Sequence, residues 1–171
     1  MEKIVAIVVT YNRKALLLEN IESLLNQSAS DLLDIIIIDN ASTDGTKEAL
    51  DKYINNEQII YKNTGVNLGG AGGFNFGVRI GVEAEYDYLW LMDDDTIPQR
   101  DALEVLWAAK NQLKESFGYL SSNVLWKDGT PCLMNKQKYF NKVVDIENSS
   151  EFVPVTQSTF VSLFLPAKIV K

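Results

Sequence analysis

Tyr88-Leu89-Trp90-Leu91-Met92-Asp93-Asp94-Asp95 is an apolar run that ends on three adjacent carboxylates. With no polar alternation, Tyr88 to Met92 reads as a strand buried on both faces, as in a parallel α/β sheet. Three acids at its end repel one another strongly in a partly dry site. A hard divalent cation such as Mg²⁺ or Mn²⁺ relieves that repulsion, because it prefers carboxylate oxygens. Asp93 and Asp95 are the candidate metal pair, since residues two apart can face the same way at a strand end. The alternative is a capping role, in which Asp95 or Thr96 closes the start of a helix entered through Pro98.

Outward from this strand the pattern repeats. Ile4 to Val9 and Ile35 to Ile38 are further buried strands, and Gln58 to Lys62 is a weaker third. Between them, Leu17, Ile21, Leu24 and Leu25 have helical spacing, and Ser42-Thr43-Asp44-Gly45-Thr46 opens a helix running to about Tyr53. Ala71 to Glu85 is a candidate helix, and Ala102, Leu106, Ala109 and Leu113 mark another beyond Pro98. Four strand–helix alternations in about the first 115 residues predict a mostly parallel α/β sheet with right-handed crossovers. After Phe117 the character changes. Tyr119 to Trp126, Lys142 to Ile146, Phe152 to Val155 and Phe160 to Leu165 are short candidate strands, with a turn at Lys127-Asp128-Gly129-Thr130-Pro131. Pro166 is placed to start a further helix.

With 171 residues, 46% of them hydrophobic, the chain suffices for one packed domain. Its net charge of −7 argues against non-specific binding to nucleic acid or to anionic membrane surfaces. Cys132 is the single cysteine, so no intrachain disulfide forms and a reducing compartment fits. The absence of histidine excludes His bases, His metal ligands and any Ser-His-Asp triad. No signal-peptide pattern precedes the first strand, and no apolar run reaches transmembrane length.

In open α/β sheets the ligand lies beyond the carboxyl ends of the strands. Thr10-Tyr11-Asn12-Arg13, Asp39-Asn40 and Asp93 to Asp95 would meet there. Asp39 can accept from the imide N–H of a uracil or thymine ring, Tyr11 offers a stacking face, and Arg13 a charged donor near phosphate. Taken singly, Asp39 could be a surface carboxylate and Tyr11 a packed rim aromatic. Seven of the ten glycines lie between Gly65 and Gly81, a density that lets a ligand approach the backbone. A tight turn with close helix packing would account for it equally well. The segment is no dinucleotide fingerprint, since Asn75 stands where Gly70-Ala71-Gly72-Gly73-Phe74-Asn75 would need a third glycine, and there is no Walker A lysine pattern.

Ala6-Ile7-Val8-Val9-Thr10-Tyr11-Asn12-Arg13, Asp39-Asn40-Ala41-Ser42-Thr43-Asp44-Gly45-Thr46, Asn67 to Gly77 and Trp90-Leu91-Met92-Asp93-Asp94-Asp95 resemble, in order and spacing, family 2 glycosyltransferases. The glycine segment with the triple Asp is most similar to the bacterial galactofuranosyl- and rhamnosyltransferase-like branch. The match covers about Ile4 to Leu113, and more loosely Ser158 to Val170. The resemblance implies a GT-A fold, Rossmann-like with helices on both sheet faces, and a nucleoside-diphosphate sugar donor (UDP or dTDP) held with Mg²⁺ or Mn²⁺. It also implies inverting transfer to a glycan or lipid-linked glycan acceptor in cell-surface polysaccharide synthesis, in the cytoplasm or at the inner membrane face. By position, Thr10, Tyr11 and Arg13 would line the nucleotide pocket and Asp39 would hold the base. Asn67, Gly69, Gly70 and Gly73 would lie near the donor. Asp93 and Asp94 would contact the nucleotide sugar, with Asp93 and Asp95 on the metal.

An inverting transfer needs a base for the acceptor hydroxyl. In the family it is an Asp or Glu downstream of the segment that Phe160 to Pro166 resembles; Glu151 is the nearest late carboxylate and nothing matches it to that role. Residues 1–115 are therefore expected to be the nucleotide-binding half, and residues 116–171 the start of an acceptor half whose base lies past Lys171. A non-catalytic donor-binding fragment is the alternative. A sugar nucleotidyltransferase would want its glycine-rich loop directly after the first strand, and a phosphoacceptor receiver domain would want an acidic pair there; neither is present.

Overall fold

The computed structural model describes residues 2–53, 55–114, 116–140, 142–143 and 152–170. Eight strands and four helices follow one another as β1 (Ile4–Thr10), α1 (Lys14–Leu25), β2 (Leu33–Asp39), α2 (Thr46–Ala49), β3 (Ile59–Asn63), α3 (Gly69–Glu83), β4 (Tyr88–Asp93), α4 (Ala102–Leu113), β5 (Leu120–Ser121), β6 (Lys138–Tyr139), β7 (Lys142–Val143) and β8 (Leu163–Pro166). The main sheet has the order β3-β2-β1-β4-β8-β5. β1 pairs in parallel with β2 and β4, and β2 with β3, whereas β8 runs antiparallel to β4.

β1, β2 and β4 are apolar through most of their length because both sheet faces are covered. Ile4, Ala6 and Val8 point to one face with Ile35, Ile37, Trp90 and Met92, against Leu17, Ile21 and Leu24 of α1 and Leu103 and Leu106 of α4. Val5, Ile7 and Val9 point to the other with Ile36, Ile38, Leu89 and Leu91, under Phe74 of α3. Each such side chain contributes about 1.5–3 kcal/mol when fully buried. The fold is the expected α/β sheet with helices on both faces.

Gly73, Gly77 and Gly81 let α3 lie close on its face. A Cβ at these positions would stand 2.6 Å from Val9 Cγ1, 2.5 Å from Ile7 Cγ2 and 2.8 Å from Leu89 Cδ2. Much of the glycine density is therefore a helix-packing requirement. Gly73, expected on the donor side, belongs to this stripe.

Several boundaries differ from expectation. β3 is shifted one residue along, to Ile59–Asn63, and α3 begins at Gly69 instead of Ala71. The helix after Pro98 begins only at Ala102, so neither Asp95 nor Thr96 caps it. Its buried residues are Leu103, Leu106, Ala109 and Lys110, with Ala102 and Leu113 only partly buried. The segment from α2 to Tyr53 tightens into a 3-10 turn after Ala49. The late strands shrink most: Tyr119 to Trp126 yields only β5, Phe160 to Leu165 yields β8, and Phe152 to Val155 forms none. Beyond β8 the sheet offers only these two residues of β5 as a partner, so longer strands have nothing to pair with. Residues 144–146 of the Lys142 to Ile146 candidate, and Glu151, lie outside the described residues. The 127–131 turn is present, closed by Trp126 N–H donating to Thr130 O (2.7 Å) with Gly129 at φ +84°. Pro166 ends β8, and a three-residue 3-10 turn follows it.

Candidate functional site

β1 leads through α1 to β2 on one face, while β3 reaches β4 through α3 on the other. Connections therefore diverge at the carboxyl ends of β1 and β4, the crevice where open α/β sheets bind ligands. Thr10 ends β1, Asp39 ends β2 and Asp93 ends β4, so all three expected loops converge there.

The three acids at the end of β4 have different surroundings. Asp94 is 3% exposed and accepts from Thr10 Oγ1 (2.7 Å) and Arg13 Nη1 (3.4 Å). It thus ties the first loop to the end of β4, an inward-facing role where the sequence suggested donor contact. Burial raises its pKa, against the opposing pull of Thr10 and Arg13. Asp95 is exposed and accepts from Arg13 Nη1 at 2.9 Å. Asp93 is half-buried, and no donor among the described residues reaches its carboxylate. Burial raises its pKa first, then the charges of Asp95 and Asp94, with Arg13 opposing. An unpartnered carboxylate repelled by a neighbouring one suits a cation. No group of three or more acids is gathered as a ready metal cage among the described residues.

Asp39 is 1% exposed and already well supplied with donors. Ser42 N–H donates to its Oδ1 (2.7 Å), while Tyr61 OH (2.6 Å) and Asn63 Nδ2 (3.3 Å) donate to its Oδ2. Burial and this carboxylate push the Tyr61 hydroxyl up to about 12. Tyr11, by contrast, is 45% exposed. Its ring is open to stacking.

Residues not singled out from the sequence hold these loops. Asn12, at φ 54°, receives Thr43 N–H on Oδ1 (2.7 Å) and donates its own N–H to Ser42 Oγ (2.9 Å). Asp44 Oδ2 accepts Lys14 N–H (2.9 Å) at the start of α1, and its Oδ1 accepts Thr46 N–H (3.1 Å) at the start of α2. Asn20, buried on α1, donates to Thr96 O, and Gln27 donates to Gln99 O (2.8 Å) and accepts Leu103 N–H (3.0 Å). The β4–α4 connection is thereby pinned to α1. Polar residues buried on an otherwise apolar helix stripe were the one signal that could have marked Asn20.

Asn40 Nδ2 donates to Gly69 O (3.1 Å), linking β2 to the first turn of α3. Asn67 Oδ1 accepts Gly69 N–H (2.8 Å), and Gly69 sits at φ +69°. A Cβ on Gly69 or Gly70 would meet nothing, so backbone is openly presented here, unlike at Gly73. A cavity of about 300 Å³ lined by Glu2, Tyr86, Tyr88 and Lys168 lies at the opposite, amino end of the sheet.

The sequence model of glycosyl transferase family 2 matches residues 5–120, a span containing every one of these loops. The chain belongs to that family. It is 42% identical over 100 residues to an abequosyltransferase of Salmonella typhimurium, covering 57% of this chain and 29% of the relative. It is 31% identical over 117 residues to poly-β-1,6-N-acetyl-D-glucosamine synthase of Staphylococcus aureus, covering 68% of this chain and 26% of the relative. The chain thus spans less than a third of these relatives' length. Among solved structures, S. aureus TarS in complex with UDP superposes at TM-score 0.70 with 20% identity, over 98% of this chain and 48% of that one. A Pyrobaculum calidifontis mannosyltransferase in complex with GDP-Man and Mn²⁺ superposes at TM-score 0.61 with 26% identity, over 72% and 36%. The fold of this family 2 chain is GT-A. No helix among its described residues is long and apolar enough to cross a membrane.

Proposed function

We propose that this crevice binds a nucleoside-diphosphate sugar, UDP- or dTDP-linked, together with Mg²⁺ or Mn²⁺, for inverting transfer of the sugar to a glycan acceptor. The observation that carries the reading is Asp93: a half-buried carboxylate that no donor among the described residues reaches, beside Asp95, at the divergence of β1 and β4. Asp93 and Asp95 would hold the cation against the donor diphosphate. When bound, the ion stabilises negative charge on the leaving diphosphate, a Lewis-acid contribution of several kcal/mol.

The chain's own residues do the rest. Tyr11 stacks on the base, and Asp39 accepts the imide N–H, exchanging the Tyr61 hydroxyl for it. Thr10 acts through Asp94 instead of touching the ligand. Asn67 and the open backbone at Gly69 and Gly70 approach the donor. Residues 1–115 form the donor half and residues 116–171 contribute to the acceptor half. None of the described carboxylates is assigned as the acceptor base.

A thermal-shift titration with UDP, dTDP, GDP and ADP, each with and without Mn²⁺, tests the reading. A ligand at 100 times its Kd stabilises by about 2.7 kcal/mol. The expected result is a Mn²⁺-dependent shift with UDP or dTDP that disappears in Asp95→Ala. A shift independent of Mn²⁺, or no shift with any nucleotide, would overturn it.

A further inference from the structure

Arg13 is the cation that lies among the acids. Its Nη1 lies 2.9 Å from Asp95 Oδ2 and 3.4 Å from Asp94 Oδ1. The two contacts differ in kind. Asp94 is buried and keeps Thr10 Oγ1 as a second donor, whereas Asp95 is half-exposed and Arg13 is its one side-chain partner among the described residues. The Arg13 side chain is itself about half exposed, at 52%, so it can leave Asp95 while staying in contact with solvent. Arg13 is also the residue just before α1, on the loop that crosses the crevice beside the end of β4.

Resting on the donor–metal reading above, we infer that Arg13 is the site's resident counter-cation: it occupies Asp95 in the metal-free protein and yields it when metal and diphosphate arrive together. A divalent ion arriving alone must displace a charge-assisted hydrogen bond and then sit beside a guanidinium, so it binds weakly. A diphosphate arriving with the ion offers the planar guanidinium, once released, a bidentate partner of its own. The exchange conserves pairing on both sides. It makes metal and nucleotide binding cooperative, and by linkage each strengthens the other by the same factor.

The test is Mn²⁺ binding to the chain without nucleotide, followed by the EPR signal of the free ion, for wild type, Arg13→Gln and Arg13→Lys, and repeated with saturating UDP. Arg13→Gln is expected to bind Mn²⁺ alone roughly two- to fivefold more tightly than wild type, the range an exposed ion pair withholds. UDP should then enhance its Mn²⁺ affinity less than it does in wild type, with Arg13→Lys between the two. Unchanged or weaker Mn²⁺ binding by Arg13→Gln, in a variant whose melting curve shows it folded, would overturn the inference while leaving the donor reading intact. Failure of the wild type to bind Mn²⁺ even with UDP would overturn both.

Discussion

In residues 4–113, β1, β2 and β4 carry unbroken buried runs, because crossover helices cover both faces of a parallel sheet. Among the described residues of 116–170 the strands are two to four residues long, and of these only β5 and β8 join that sheet. The described large apolar side chains left exposed divide accordingly. Five belong to the first region (Tyr11, Val66, Leu68, Ile97 and Val105), and the later, shorter region exposes more, Trp126, Leu133, Met134 and Phe140 among them. The lesson is that cohesion and apolar content are separate properties. The first region converts its hydrophobic sequence into a core; the second is held mainly where it touches β4.

That contact is the place to break the comparison. Trp90 is fully buried in β4 and donates Nε1–H to Ser162 Oγ (3.0 Å), just before β8. Trp90→Ala is expected to cost about 3–5 kcal/mol in urea unfolding, the usual penalty for emptying such a site. A loss below about 1 kcal/mol would mean that the two regions are not joined through this residue.

A smaller effect of opposite sign is expected within the first region. Burial and the neighbouring Asp95 and Asp94 raise the folded-state pKa of Asp93 above its unfolded value. The folded chain therefore holds the proton to higher pH than the unfolded one, and stability falls as pH rises through that window. Asp93→Asn should raise the Tm of the metal-free protein at neutral pH by about 2–4 °C, what ~1 kcal/mol is worth in a domain of this size. The gain should vanish on acidification below the window, and the variant should lose the Mn²⁺-dependent nucleotide shift. A lower Tm at neutral pH would show that Asp93 has a stabilising partner. The smallest effect sharpens the contrast: Met134→Gln, at 78% exposed, should change unfolding free energy by no more than about 0.5 kcal/mol. A larger loss would place Met134 in a packed cluster.

The same contrast explains what could be read from the chain. Ile4 to Val9, Ile35 to Ile38 and Tyr88 to Met92 were legible because short apolar runs without polar alternation mark strands buried on both faces. Their carboxyl-terminal residues follow, so the convergence of Thr10, Asp39 and Asp93 was legible too. Side-chain direction beyond those ends was not. Asp94 looked like its neighbours yet turns inward to Thr10, and Gly73 looked like Gly69 and Gly70 yet faces Val9. Nothing local distinguishes them, because the difference lies in which face of β4 or α3 each occupies. The late strands failed for another reason. Pairing there depends on partners far along the chain, and a two-residue strand carries no periodicity.

The edges of the six-stranded sheet have a consequence for how this chain behaves when concentrated. One edge is β3, whose last two residues, Lys62 and Asn63, are exposed; the other is β5, two residues long. A short edge, or one carrying a lysine, is a poor template for another strand. Any self-association is therefore expected through the exposed side chains of the later region, and not through extension of the sheet from molecule to molecule.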